Sequence, residues 1–380
     1  MMHLKRNFPK EILLEPSEKR GDWFEKYVKV EHPIMENIVE DLVERIKNPA
    51  GSNLIMVVGP TGVGKTTVQE LVVRKIYQWS TKREDMKNRI PITGLELPSP
   101  ELGRFNWKSY YKRALESLNE PLIDFKVDYE TLKKDGKVTK INPYDKRTSP
   151  ELRRSLEKAF YYRKPLAFLV DEAQHFSNIA TGRTLHLQLD VIKSLANISG
   201  VLHILVGHYD LADFINLSGQ LSRRVTDIHF ARYDANKMED LKHFINVIAN
   251  LQKQLPLEKE PDLINNYDFI YERTLGCVGI LKDWLSRCLV GALNNGEATI
   301  NLHALKKYAL PISKIEIMME EIEIGENKFV ENKEKINEIR VKMGLEKFNI
   351  DSANQISKAR KNQSKRNVGE RKAKRDVIGG

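Results

Sequence analysis

The chain has 380 residues, 41% of them hydrophobic, which is enough to bury a large core and sets an expectation of two or three domains. Its apolar runs, such as LIMVV at 54–58, fall far short of the roughly 18 residues that cross a bilayer. The start, MMHLKRNFPKEILLEPSEKR, lacks the apolar stretch of a secretory leader, so the expectation is a cytoplasmic protein with no membrane partner. The net charge of +10 is uneven: residues 351–380 hold nine Lys/Arg against three Asp/Glu, which is +6 of the total. The body is therefore only mildly basic, and charge alone does not make it a nucleic-acid binder.

Residues 1–33 read as an N-terminal extension. The segment IMENIVEDLVERIK (34–47) spaces Ile34, Ile38, Leu42, Val43 and Ile46 as the inner face of an amphipathic helix. From there strands and helices alternate: strand NLIMVVG, helix 65–80, strand IPITGLEL, helix WKSYYKRALESL, and a charged insertion over 119–148. Helix 150–163 follows, with Ser149 as N-cap and Pro150 at its first position. Strand LAFLVDE, helix 184–198, strand VLHILVG and strand TDIHFARY complete the series. This alternation predicts an α/β domain over 34–234 with a mostly parallel sheet flanked by helices. From Ala235 the pattern is helical, a small lid over 235–312, and 313–380 is a charged extension whose last 30 residues read as disordered. That tail suits gripping phosphates, docking a partner or plain solubility. The two cysteines, Cys277 and Cys288, stand eleven apart without a CxxC and read as ordinary helix residues.

The chemistry begins at GPTGVGKTT, Gly59, Pro60, Thr61, Gly62, Val63, Gly64, Lys65, Thr66 and Thr67, set between an apolar strand and a helix. It fits G-x-x-x-x-G-K-[ST], in which backbone N–H groups and the helix N-terminus cradle phosphates, the lysine meets the β and γ phosphates and the hydroxyl ligates Mg²⁺. Asp171 and Glu172 end the buried strand of KPLAFLVDEAQHF. Asp171 is placed to hold Mg²⁺ and Glu172 to polarise the attacking water, so the cofactors expected are ATP and Mg²⁺ and the activity is ATP hydrolysis.

The order of P-loop, VDEAQ, LVGHYDL, QLSRRV and GCVGILKDW resembles an AAA+ ATPase over residues 30–300. That resemblance implies a sensor at the end of the strand LVGHYDL, either His208 or Asp210, unless HYD only packs or caps. It implies an arginine finger in Arg223 and Arg224, which otherwise sit in a solvated turn, and a lid lysine, Lys282, reaching the phosphates, or else a plain helix lysine. A finger acting on a neighbour's nucleotide requires a homo-oligomer, a hexameric ring or a helical filament. Within AAA+, YVKVEHPIMENIVEDLVERI and LHLQLDVIKSLANISGVLHILVGHYDL look like transposition-regulator ATPases of the TnsC and TniB type, including those of CRISPR-associated transposons. The family implies an ATP-bound, nucleoid-associated oligomer on duplex DNA that links a target selector to a transposase. His208 departs from the Thr or Asn common there. The DNA candidates are Arg104, Lys108, Lys112 and Arg113, interleaved with Phe105, Trp107 and Tyr110, although helical aromatics also serve as core. A secretion- or signalling-type AAA+ ATPase that remodels proteins remains the competing reading.

Overall fold

The structure, a computed structural model, describes residues 6–87, 89–100, 105–123, 148–176, 183–212, 225–329 and 333–345. The chain forms two compact units, Met1–Lys328 and Phe329–Gly380.

In the first unit, helices α1 (Ser17–Tyr27) and α2 (Pro33–Lys47) precede strand β1 (Leu54–Val58) and helix α3 (Lys65–Ser80). Strand β2 (Ile92–Glu96), helix α4 (Trp107–Ser117), helix α5 (Thr148–Arg163) and strand β3 (Ala167–Asp171) follow. Next come helix α6 (Arg183–Ser199), strand β4 (Leu202–Gly207) and strand β5 (Val225–His229). The five strands are all parallel, in the order β2-β3-β4-β1-β5. Crossover helices cover both faces of such a sheet, so its central strands are apolar throughout and not alternating. All of Leu54–Val58 and Leu202–Gly207 is buried.

The predicted face of α2 is the one that packs: Ile38, Leu42, Val43 and Ile46 join Ile55 and Val57 of β1 and Val68, Val72 and Ile76 of α3 in one cluster. Across the sheet α4 packs on α5 and β2, and α5 on α6. Helix α5 begins at Thr148, two residues before the expected start. Pro150 is therefore the third helical residue and Ser149 lies inside the helix; proline is tolerated there because first-turn N–H groups have no intrahelical acceptor.

The helical part comprises α7 (Met238–Gln254), α8 (Tyr267–Thr274), α9 (Val278–Asn294), α10 (Leu302–Tyr308) and α11 (Ile312–Glu326). The N-terminal segment is built into its core: Phe24, Val28 and Val30 cluster with Phe244, Leu281, Leu285 and Leu289. The Arg20 guanidinium adds a bond from Nε to the Pro256 carbonyl at 2.9 Å. Helix α11, from the segment expected as a charged extension, buries Ile315 and Ile322 in the first unit. Its end is held by a fork: Arg232 Nε and Nη2 reach Glu326 Oε1 and Oε2 at 3.1 and 3.3 Å. Cys277 and Cys288 are buried free thiols; Cys288 lies within α9 as its sequence suggests, whereas Cys277 caps the helix from outside it. In the second unit the described helix is α12 (Lys333–Lys342), with Ile339 and Val341 half exposed; the basic tail 351–380 lies outside the described residues.

Three histidines are held neutral by burial, His32 beneath Tyr233, His203 within β4 and His229 at the end of β5, each pushed down to about 4. In the unfolded chain a histidine titrates near 6.5, so between pH 6.5 and 4 the unfolded state binds more protons and stability falls as pH falls. The loss is on the order of 3 kcal/mol per histidine at most, from 1.36 kcal/mol per pKa unit. Denaturant unfolding between pH 7.5 and 4.5 should show the midpoint dropping most steeply below pH 6.5, with a shallower slope in His203→Leu. A wild-type midpoint flat down to pH 4.5 contradicts this.

Candidate nucleotide site

The site forms where β1, β3 and β4 end on the same edge of the sheet. Strand β1 leads into the loop Gly59–Gly64, in which Gly62 and Gly64 take φ of +74° and +112°, values that side chains other than glycine rarely adopt. Gly64 caps α3 in this left-handed geometry, so the first N–H groups of the helix face the loop. Inside the loop Lys65 is only 7% exposed, and its Nζ donates to the carbonyls of Gly59 at 3.0 Å and Pro60 at 2.9 Å. Burial pulls the ammonium down to about 8, against the opposing pull of the Glu172 and Asp171 carboxylates. Thr66 Oγ1 lies 3.5 Å from Asp171 Oδ2.

Strand β3 is buried from Ala167 to Val170 and surfaces at Asp171. Glu172 follows with φ of +53°, and its N–H donates to Asp171 Oδ1 at 2.9 Å. Because β4 lies between β1 and β3, the residue after it falls between the two motifs. That residue is His208: its Nδ1 is 3.3 Å from Lys65 Nζ and 3.3 Å from Thr61 Oγ1, and its Nε2 is 3.8 Å from Glu172 Oε2. An ammonium can only donate, so Nδ1 is the acceptor and the ring proton sits on Nε2, facing Glu172. Desolvation and the nearby Lys65 charge lower the His208 pKa and outweigh the carboxylates. The His208–Glu172 pair is thus a neutral imidazole beside a carboxylate and not an ion pair.

Two clefts flank this cluster. One, of about 400 Å³, lies between Pro60, Thr61, His208 and Tyr209 on one side and Ile322 and Gly325 of α11 on the other. The second, of about 360 Å³, is framed by Glu25, Lys29, Val63, Gly64, Thr67 and Lys282. Both volumes suit a small ligand or part of one. The N-terminus of α9 closes directly on the loop: the Gly279 and Ile280 N–H groups donate to the Gly62 carbonyl at 2.8 and 3.3 Å. Lys282, one turn on, donates to the Glu25 carbonyl at 2.8 Å in the second cleft. The structure thus gathers Lys65, Thr66, Asp171, Glu172 and His208, and places Lys282 beside Gly64 and Thr67 but apart from the carboxylates. Asp210, the other sensor candidate, is exposed.

Glu25, Lys29 and α11 carry no motif, and their approach depends on contacts far away in sequence. Gln174 stands in the quoted VDEAQ, but its partners are visible only in three dimensions. Arg223, Arg224 and Arg104 lie outside the described residues. Of the other DNA candidates, Lys108 and Lys112 are half-buried on α4 and Arg113 is exposed. The aromatics beside them turn inward, with Trp107 stacked on Phe176 at 5.9 Å and Phe105 4.8 Å from the same ring.

A parallel five-stranded sheet flanked by helices, a P-loop on β1, a carboxylate pair on β3 and a helical C-terminal part define the AAA+ P-loop NTPase fold. Residues 48–215 match the family model of the AAA domain, which implies nucleotide binding. The chain is similar in fold to the ORC2 protein of Aeropyrum pernix, solved as ADPNP-ADP complexes, at 14% identity over 77% of this chain and 71% of that one, with a TM-score of 0.51. It is similarly close to the A. pernix ORC1 protein solved in complex with DNA, at 14% identity over 79% and 68%, TM-score 0.51. No curated protein matches the chain.

The contact between lid and loop can be tested at Gly279. A Cβ there would fall 2.5 Å from the Gly62 oxygen. Glycine to alanine inside a helix is normally worth about 1 kcal/mol of stabilisation, whereas forced overpacking costs about 1–3 kcal/mol. Gly279→Ala should therefore lower the thermal midpoint and weaken binding of a fluorescent ATP analogue. A raised midpoint with unchanged affinity would show that α9 does not close on the loop.

Proposed function

We propose that this chain binds ATP in the Lys65 cradle and hydrolyses it, and that it serves as an ATP-dependent, duplex-DNA-binding regulator of transposition. The observation that carries the enzymatic part is the cluster of Lys65, His208 and Glu172 at the ends of three strands. Lys65 would exchange the Gly59 and Pro60 carbonyls for phosphate oxygens, its charge then opposed by the phosphates themselves. A hydroxyl and a carboxylate, Thr66 and Asp171, are hard oxygen donors that suit Mg²⁺ shared with a nucleotide. Among the described residues no group of three or more His, Cys, Asp or Glu forms a protein-only metal site. When bound, the ion supplies neutralisation of phosphate charge.

Glu172 accepts the proton of the attacking water as the water oxygen bonds to the γ-phosphorus. The bond from that phosphorus to the bridging oxygen breaks, and its electron pair leaves with ADP. His208, protonated on Nε2, is placed to donate to the γ-phosphate or the water.

Support for the DNA part comes from the resemblance to transposition regulators and from the A. pernix ORC1 protein, which has a similar fold and was solved in complex with DNA. In this reading Arg223 and Arg224 act across a subunit boundary, so the working form is a ring or filament. Lys108, Lys112, Arg113 and Arg104 track phosphates, and a target selector and a transposase are the partners.

Glu172→Gln should lower ATP turnover by about 10²–10⁴-fold, the range for loss of a general base, while leaving ATP affinity intact. Sedimentation of the wild type with random duplex DNA should show large complexes with ATP, none with ADP, and none for Arg223→Ala/Arg224→Ala. Turnover without any ATP-dependent DNA complex would instead support an ATPase that remodels proteins.

A further inference from the structure

Gln174 lies in the 3₁₀ turn Ala173–Phe176 after β3 and is 4% exposed. Its amide works in two directions. Nε2 donates to Glu172 Oε2, and Oε1 accepts the His208 backbone N–H at 3.2 Å. The second bond fixes the orientation of the amide, because a backbone N–H can meet only the oxygen, and the NH₂ must then face the carboxylate. The close fit extends to Gly207, the last residue of β4, where a Cβ would fall 2.5 Å from Gln174 Oε1. A side chain at 207 would push the amide out of this position.

We infer that Gln174 is the positioning residue for Glu172, holding its carboxylate through Nε2 while Oε1 ties it to the peptide that carries His208. This role rests on the hydrolytic reading of the site. Glu172 stands on a left-handed backbone, and its ring neighbour, His208 Nε2, is 3.8 Å away, beyond hydrogen-bond length. The amide is therefore a close restraint on where the carboxylate points. Being neutral, it directs the carboxylate without pairing its charge, as a lysine or arginine in the same place would. It also makes the base and the end of β4 move together. A γ-phosphate that engages His208 would shift that peptide and, through one side chain, the carboxylate that activates water.

The two arms can be separated. Gln174→Glu keeps an oxygen for the His208 N–H and replaces the donor toward Glu172 by an acceptor; Gln174→Ala removes both arms. Steady-state ATP turnover and ATP affinity should be measured for the wild type, both variants, Glu172→Gln, and Glu172→Gln/Gln174→Glu. A misdirected base costs about 10- to 100-fold in rate, as displacements near 1 Å do. Both single variants should lose that much in kcat, with ATP Kd within about twofold of wild type. In the Glu172→Gln background the Gln174 change should have almost no further effect, since two residues acting through one group are not additive.

Wild-type turnover in Gln174→Glu overturns the role, as does an equal loss in the Glu172→Gln background. Loss of ATP binding in both single variants also overturns it, because Gln174 would then support the whole site and not the base. A wild-type chain that binds ATP without turning it over overturns the hydrolytic reading first, and this role with it.

Discussion

The buried ammonium of Lys65 is the constraint around which the strand ends are arranged. A cation at 7% exposure loses most of its hydration, and that loss has to be offset by oriented oxygens and opposite charge. Two loop carbonyls, the His208 ring nitrogen and the fields of Asp171 and Glu172 supply this. The offset is incomplete, since the amine is still pulled down to about 8. A polyphosphate entering the loop would bring the missing negative charge, so the protein alone leaves a position in which an anion is the complement.

Sheet topology turns that charge into a site. Had β4 not run between β1 and β3, the residue that follows it, His208, could not stand between the lysine and the glutamate. The crevice at strand ends where crossovers diverge is the usual ligand position of open parallel sheets. The helical part then bears on the site from two directions. The N-terminus of α9 donates to Gly62, while α11 reaches Tyr209 through Gly325, where a Cβ would lie 2.1 Å from the ring. Neither contact leaves room for a side chain at Gly279 or Gly325, so the helical part is fitted closely to the phosphate loop and to the residues after β4.

The sequence carried the local parts of this arrangement well. GPTGVGKTT and the strand-end pair Asp171–Glu172 are chemical signals within a few residues of one another, and the apolar runs of β1 and β4 mark buried parallel strands without any partner being known. Long-range parts were not legible. Phe24 joins the core of the helical part from more than 200 residues away, so residues 1–33 looked like an appendage. Arg232 and Glu326 pair across 94 residues, so α11 looked like charged surface. The aromatics Phe105, Trp107 and Tyr110, interleaved with the DNA candidates, left a core role open, and their rings meet Phe176, a residue placed beside them only by the pairing of β2 with β3.

If the Lys65 cradle takes up a nucleotide's phosphates, calorimetry reads it through the proton. At pH 8.5 an amine with a pKa of about 8 is mostly neutral, and it must regain its proton to pair with phosphate. Titrating the chain with Mg-ATP in buffers of different ionisation enthalpy should give one site per chain with uptake of most of a proton, and Lys65→Met should abolish the uptake. Binding with no proton uptake in the wild type, or equal uptake in Lys65→Met, would mean that phosphate does not engage the Lys65 amine.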